Sequence, residues 1–142
     1  MLKAGTIVLL ILFILTAAYS ILDIVAPSIT LEGDFQAVTG GSYEGVLEPG
    51  PLFISMLYLR HMGVASFAVA IAAIFILLGG FRKAERWAWW ALLVTGGIVV
   101  GFAVVVNFLI DNWFDFATHV AVLVWLLVGL MIPEKVFFAR KT

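Results

Sequence analysis

The sequence predicts an all-α fold, an integral membrane four-helix bundle of up-down topology, and three observations predict it. Four long runs contain no Asp, Glu, Lys or Arg: residues 4–22, 62–81, 87–110 and 116–133. Hydrophobic residues make up 64% of the chain and charged residues 12%, against about 45–50% and about 25% in soluble domains. With so few charges, most of the surface must have lipid as its solvent. Third, the basic residues divide between alternate connections: Lys3, Arg82, Lys83, Arg86, Lys135, Arg140 and Lys141 fall on one side and only Arg60 on the other. This asymmetry is the positive-inside pattern and predicts cytoplasmic N- and C-termini.

The first helix is expected over about 4–26, since crossing roughly 30 Å of hydrocarbon takes about 20 apolar residues. Lys3 and the Thr16-Ala17-Ala18 segment also suit a secretory signal, but the apolar stretch is longer than an ordinary signal core. Residues 27–51 form a long outer loop punctuated by Pro27, Gly33, Gly40-Gly41, Gly50 and Pro51. Within it, residues 29–31 and 42–47 alternate well enough to pair as a short β-hairpin around Thr39-Gly40-Gly41. Gly50-Pro51 opens the second helix, over about 52–81, because proline is tolerated in a first helical turn. A basic turn, Arg82-Lys83-Ala84-Glu85-Arg86, leads into the third helix over about 86–111. Trp87, Trp89 and Trp90 suit the inner headgroup belt, and Trp113 the outer one. The fourth helix is expected over about 116–138, with Asp115 as its N-cap and an interfacial turn over 133–140. The short second and third connections make helices 2–3 and 3–4 antiparallel neighbours, as helices 1–2 are across the loop. All 142 residues form one domain.

Composition also excludes function classes. A net charge of −1 leaves no basic patch for nucleic acid. The absence of cysteine removes disulfides, iron–sulfur clusters and thiol relays. No nucleophile elbow, phosphate loop or dinucleotide fingerprint is present.

Polar residues gather instead at one end of the predicted bundle. Thr16, Tyr19, Ser20 and Asp23 share one face of helix 1, because their spacings of 3, 4 and 7 keep them within about 100° of arc. Asn107 and Asp111 are one turn apart on helix 3, and Arg60, His61 and His119 come from the other two helices at a similar level. Ionisable groups at membrane depth are costly and mark functional sites by default. The candidate ligand-binding set is therefore Thr16, Tyr19, Asp23, Arg60, His61, Asn107, Asp111 and His119. His61, His119, Asp23 and Asp111 are chemically suited to a transition metal. The two histidines also suit a bis-histidine haem, and a His–Asp pair suits acid–base work. No cofactor follows from spacing alone, since no two ligands stand i, i+3 or i+4 apart. The competing reading is structural: Asp23 and Asp111 at helix ends reach headgroup water, Arg60 snorkels, and His119 bonds across to Asp111. Small residues supply packing stripes, Ala65, Ala68 and Ala72 on helix 2, Gly97 and Gly101 on helix 3, Ala117 and Ala121 on helix 4. A faint repeat relates Ile21-Leu22-Asp23 to Leu109-Ile110-Asp111.

Arg60-His61-Met62-Gly63 opening a small-residue helix, followed by Arg82-Lys83-Ala84-Glu85-Arg86-Trp87-Ala88-Trp89, resembles small four-helix membrane proteins of the broad DoxX-like type. The resemblance spans roughly residues 55–130 and implies the same helix count. Some members of that group are linked with quinone-coupled oxidation, but no catalytic residue carries over to this chain, and the long outer loop has no counterpart.

The function expected from these features is that of a non-catalytic accessory or structural subunit of a larger membrane complex, in a prokaryotic cytoplasmic membrane. Its partners would be the bilayer and either other membrane proteins or further copies of itself. The rival is a stand-alone protein binding a metal, quinone or other lipophilic ligand in the outer half of its bundle. A small oligomeric transporter or channel is the third class.

Overall fold

A computed structural model describes residues 1–138, which are helical with no strand among them. The elements are α1 (Leu2–Val25), α2 (Pro27–Thr39), α3 (Pro49–Gly79), a 3-10 turn (Phe81–Lys83), α4 (Arg86–Leu109), α5 (Trp113–Met131) and α6 (Glu134–Phe138). Four of them, α1, α3, α4 and α5, are long and apolar enough to cross a membrane. At 1.5 Å per residue the 24 residues of α1 span about 36 Å and the 31 of α3 about 46 Å, so α3 extends well beyond a bilayer core.

The segment after α1 corrects the expected β-hairpin. Pro27 disfavours helical geometry at Ala26, which sits at φ −133°, and so ends α1. The same proline then starts α2 at its first position, where its missing N–H is harmless. Leu31, Glu32, Gln36 and Ala37 propagate the new helix, and the single Gly33 weakens it by only about 1 kcal/mol. Gly40, at φ 74°, closes it by donating its N–H to Gln36 O. The glycine pair that marks a hairpin turn in sequence is thus a helix C-cap. The return loop is tied to α2 through Glu32, which accepts from Ser42 Oγ at 3.0 Å and Tyr43 N at 3.4 Å.

Two other details differ from expectation. α3 begins at Pro49, placing Gly50 and Pro51 inside its first turn. The last span ends at Met131, and Pro133 separates it from the short α6; Ala139 and Arg140 of the expected interfacial turn lie outside the described residues.

Close approach between spans depends on glycine. At Gly63 an added Cβ would fall 2.8 Å from Asp23 Cβ and 2.9 Å from Ser20 O, so α3 seats directly on α1. Gly129 in α5 receives Leu9 of α1, and Gly5 faces Gly129 O and Pro133. Gly96 in α4 receives Leu126 of α5. These contacts make α1 the centre of the bundle, with α3 on one side and α5 on the other, and α4 packed on α5. The expected neighbours α3 and α4 touch much less. They meet where Gly80 lies under Trp87 and Ala88, while the glycines at positions 5 and 129 let α1 and α5 take the closer contact.

The core is concentrated at the end of the bundle that holds the 3-10 turn. Leu9, Leu12, Phe13, Leu77, Phe81, Ala88, Leu92, Leu126, Leu130 and Phe137 form one buried cluster. Arg86 Nε donates to Phe137 O at 2.9 Å and Trp89 Nε1 to Leu130 O at 3.0 Å, satisfying carbonyls in the last turns of α6 and α5. Trp125 Nε1 donates to Val8 O at 3.0 Å and pins α5 to α1. In α4 only Ala88 and Leu92 are fully buried, both in its first two turns.

Candidate functional site

α2 places residues on the end of the bundle away from the 3-10 turn. On α1, Thr16 and Ser20 turn back to their own helix, donating to Leu12 O at 3.0 Å and Thr16 O at 2.8 Å. Asp23 is 9% exposed and accepts from Thr30 Oγ1 of α2 at 2.7 Å. Tyr19 stands one turn before Asp23 on α1, with its side chain mostly exposed. One turn along α2, the Asp34 carboxyl comes within hydrogen-bond reach of Asp115 at the start of α5. Burial pushes the Asp34 carboxyl up to about 7, reinforced by the hydrogen bond and charge of Asp115 and then by the charge of Asp23. Every one of these influences favours the protonated form, and no cation offsets them.

Asp115 is held by its neighbour. Asn112, 2% exposed, is the N-cap of α5, correcting the expectation that Asp115 is. Its Oδ1 accepts from Asp115 N at 3.2 Å, and its Nδ2 donates to Asp115 Oδ2 at 2.8 Å. Asn112 occupies the cap because Asp111, at φ 57°, reverses the chain just before it. Aspartate tolerates that left-handed geometry better than most residues.

Asn107 and His119 form a second group. His119 Nδ1 lies 2.7 Å from Asp115 O and 3.3 Å from Asn107 Nδ2. One ring nitrogen cannot donate to the carbonyl and accept from the amide together. The shorter contact favours an Nδ1–H donating to Asp115 O, with Asn107 Nδ2 satisfied by Ala103 O at 2.9 Å. His119 thus bonds toward Asp115 and Asn107, where the sequence pointed to Asp111. Asp115 joins the two groups, its carboxyl facing Asp34 and its carbonyl facing His119.

Of the eight residues singled out in sequence, Asp23 stands in the first group, with Tyr19 one turn away on α1, and Asn107 and His119 meet in the second. Thr16 serves its own helix. Arg60, His61 and Asp111 are exposed and belong to neither group. Among the described residues, no three His, Cys, Asp or Glu side chains stand close enough together to hold a metal ion. Thr30, Asp34 and Asn112 escape a sequence reading because the first two lie in a segment read as loop. A helical reading of 27–39 would have placed Thr30 and Asp34 on one face, four residues apart.

Two hollows border this region. One, about 390 Å³, lies between α2 and α3 and is lined by Leu31, Asp34, Ile54, Ser55, Tyr58 and Leu59. The other, about 450 Å³, lies between α2 and its return loop at Ser28, Glu32, Ser42 and Glu44. No protein-family model, curated protein or solved structure matches the chain.

Proposed function

We propose that this chain is a non-catalytic accessory subunit of a larger membrane complex, bound to its partner through the outward face of α4. The observation that carries the reading is the contrast among its glycines. Gly5, Gly63, Gly96 and Gly129 each face an atom within 3 Å of where a Cβ would stand, so packing inside the chain accounts for them. Gly97 and Gly101 meet nothing within 4 Å. A glycine in a helix interior is about 0.8–1.0 kcal/mol less favourable than alanine, and nothing inside this chain compensates for the pair. Small residues four apart serve close approach between membrane helices, so a helix from another chain is their natural neighbour. Ile98, Val105 and Phe102 extend the same exposed helix.

In this reading the chain is an up-down bundle with cytoplasmic termini in a prokaryotic cytoplasmic membrane. Support comes from the seven-to-one division of basic residues. The contacts Leu9 to Gly129 and Trp89 to Leu130 also join opposite ends of neighbouring spans. The DoxX-like resemblance is consistent with the same helix count.

A second reading, binding of a small lipophilic ligand at the outer end, is favoured by Asp34 lining the hollow between α2 and α3. Native mass spectrometry of the protein extracted gently from its own membranes separates the two. The accessory reading expects a stoichiometric mass of a further membrane protein. A lone chain carrying a fixed small mass would replace it with the ligand-binding reading.

A further inference from the structure

We propose that the end of the bundle holding the 3-10 turn is a docking surface for anionic phospholipid headgroups, centred on Arg82, Lys83 and Arg86. Cations reach this end from four elements. Lys3 lies in the first turn of α1, Arg82 and Lys83 in the 3-10 turn, Arg86 at the start of α4 and Lys135 in α6. Packing gathers these elements together. The Phe81 and Phe137 rings stand 4.7 Å apart, Arg86 donates to Phe137 O, and Gly5 of α1 faces Pro133 just before α6. All five cationic side chains are exposed, and the acidic residues among them are Glu85 and Glu134. Glu85 is engaged by Trp87 Nε1, so the cations dominate the surface. Among the described residues Arg60 is the one other Lys or Arg, and it stands far along α3 from the turn.

The turn is held in one shape. Ala84, at φ 57°, donates its N–H to Phe81 O at 2.9 Å, and Glu85 N donates to Gly80 O at 3.1 Å. Alanine rarely adopts that left-handed geometry, and here it closes the turn behind Arg82 and Lys83. Phe81, fully buried, anchors the same turn in the core. Arg86 is fixed at two points, Nε on Phe137 O and the guanidinium 5.9 Å from the centre of the Phe138 ring. With Nε so used, the terminal nitrogens of the fork are the part left to meet an acceptor. A phosphate matches that fork, and the fixed geometry lowers the cost of ordering it.

Depth identifies the phosphate as a lipid's. Trp87 and Trp90, three residues apart at the start of α4, are 54% and 51% exposed. Exposed tryptophan at the end of a spanning helix belongs at the headgroup level, so the cations beside it meet lipid phosphates. A zwitterionic headgroup carries its own cation beside the phosphate, whereas an anionic one leaves the phosphate charge unmatched. Each Lys or Arg at such a surface strengthens the attraction about fivefold.

The test is native mass spectrometry of the full chain released from nanodiscs of equal parts phosphatidylglycerol and phosphatidylcholine, counting the lipids that stay bound. The wild type is expected to favour phosphatidylglycerol by about tenfold or more. Arg82→Gln/Lys83→Gln changes two exposed side chains and is expected to lower that ratio at least about fivefold. The charge-conserving Arg82→Lys/Lys83→Arg is expected to keep it, as is Arg60→Gln. A wild type that retains the two lipids equally overturns the proposal. So does a preference that Arg82→Gln/Lys83→Gln leaves intact, or one that Arg60→Gln lowers as much.

Discussion

Gly63 of α3 rests directly on Asp23 of α1: a Cβ at position 63 would stand 2.8 Å from the Cβ of the aspartate. The glycine therefore fixes the distance between the two spans at the level where Asp23 receives the hydroxyl of Thr30. Gly63→Ala pushes into both Asp23 and the Ser20 carbonyl, and overpacking of this kind destabilises by about 1–3 kcal/mol. Gly97→Ala, made where nothing stands within 4 Å, removes a helix-weakening residue and stabilises the isolated chain by about 0.5–1 kcal/mol. Thermal unfolding of the two variants in one detergent checks both signs.

Thr30 is the one side chain of α2 that hydrogen-bonds Asp23, and both are buried. Thr30→Val keeps the shape and leaves the carboxylate without its donor, at about 1–3 kcal/mol. The loss falls on the docking of α2. Limited proteolysis in the 40–48 segment is expected to speed up several-fold, with the four spans still protected.

Asn112 serves the α5 N-terminus and orients Asp115. Asn112→Ala removes an N-cap worth about 0.5–2 kcal/mol and frees the Asp115 carboxyl from its donor. Asn112→Asp restores acceptance from Asp115 N but sets a second carboxylate against the first. Alanine and aspartate are thus both expected to lower the unfolding temperature, because alanine removes the cap and aspartate sets a carboxylate against Asp115 Oδ2. An unfolding temperature unchanged in both variants would show that Asn112 does not hold the start of α5.

The spans were legible because an uncharged run of 18 residues or more has few homes outside a membrane. The end of the bundle that carries α2 was only half legible. Asp23, Tyr19, Asn107 and His119 were visible as polar residues on apolar helices. Thr30 and Asp34 were not, because Gly33 and Gly40-Gly41 read as loop punctuation, and a glycine that caps a helix looks the same in sequence as one that turns a hairpin. Asp115 and Asn112 illustrate another limit. Both are good N-caps, and only the chain reversal at Asp111 decides between them. The α1–α5 contact depends on Gly5 and Gly129 meeting across the bundle, a pairing between residues far apart in sequence that no local pattern encodes.

The most direct test of the central claim compares the wild type with the Gly97→Leu/Gly101→Leu double variant, each purified from its own membranes under identical mild conditions. Both positions are open within the chain, so the variant is expected to insert and fold with an unfolding temperature no lower than that of the wild type. The wild type is expected to carry a stoichiometric membrane-protein partner and the double variant to lose at least nine-tenths of it (about 1.4 kcal/mol or more). Equal recovery of the partner with both proteins, or a wild type that carries none, would contradict it.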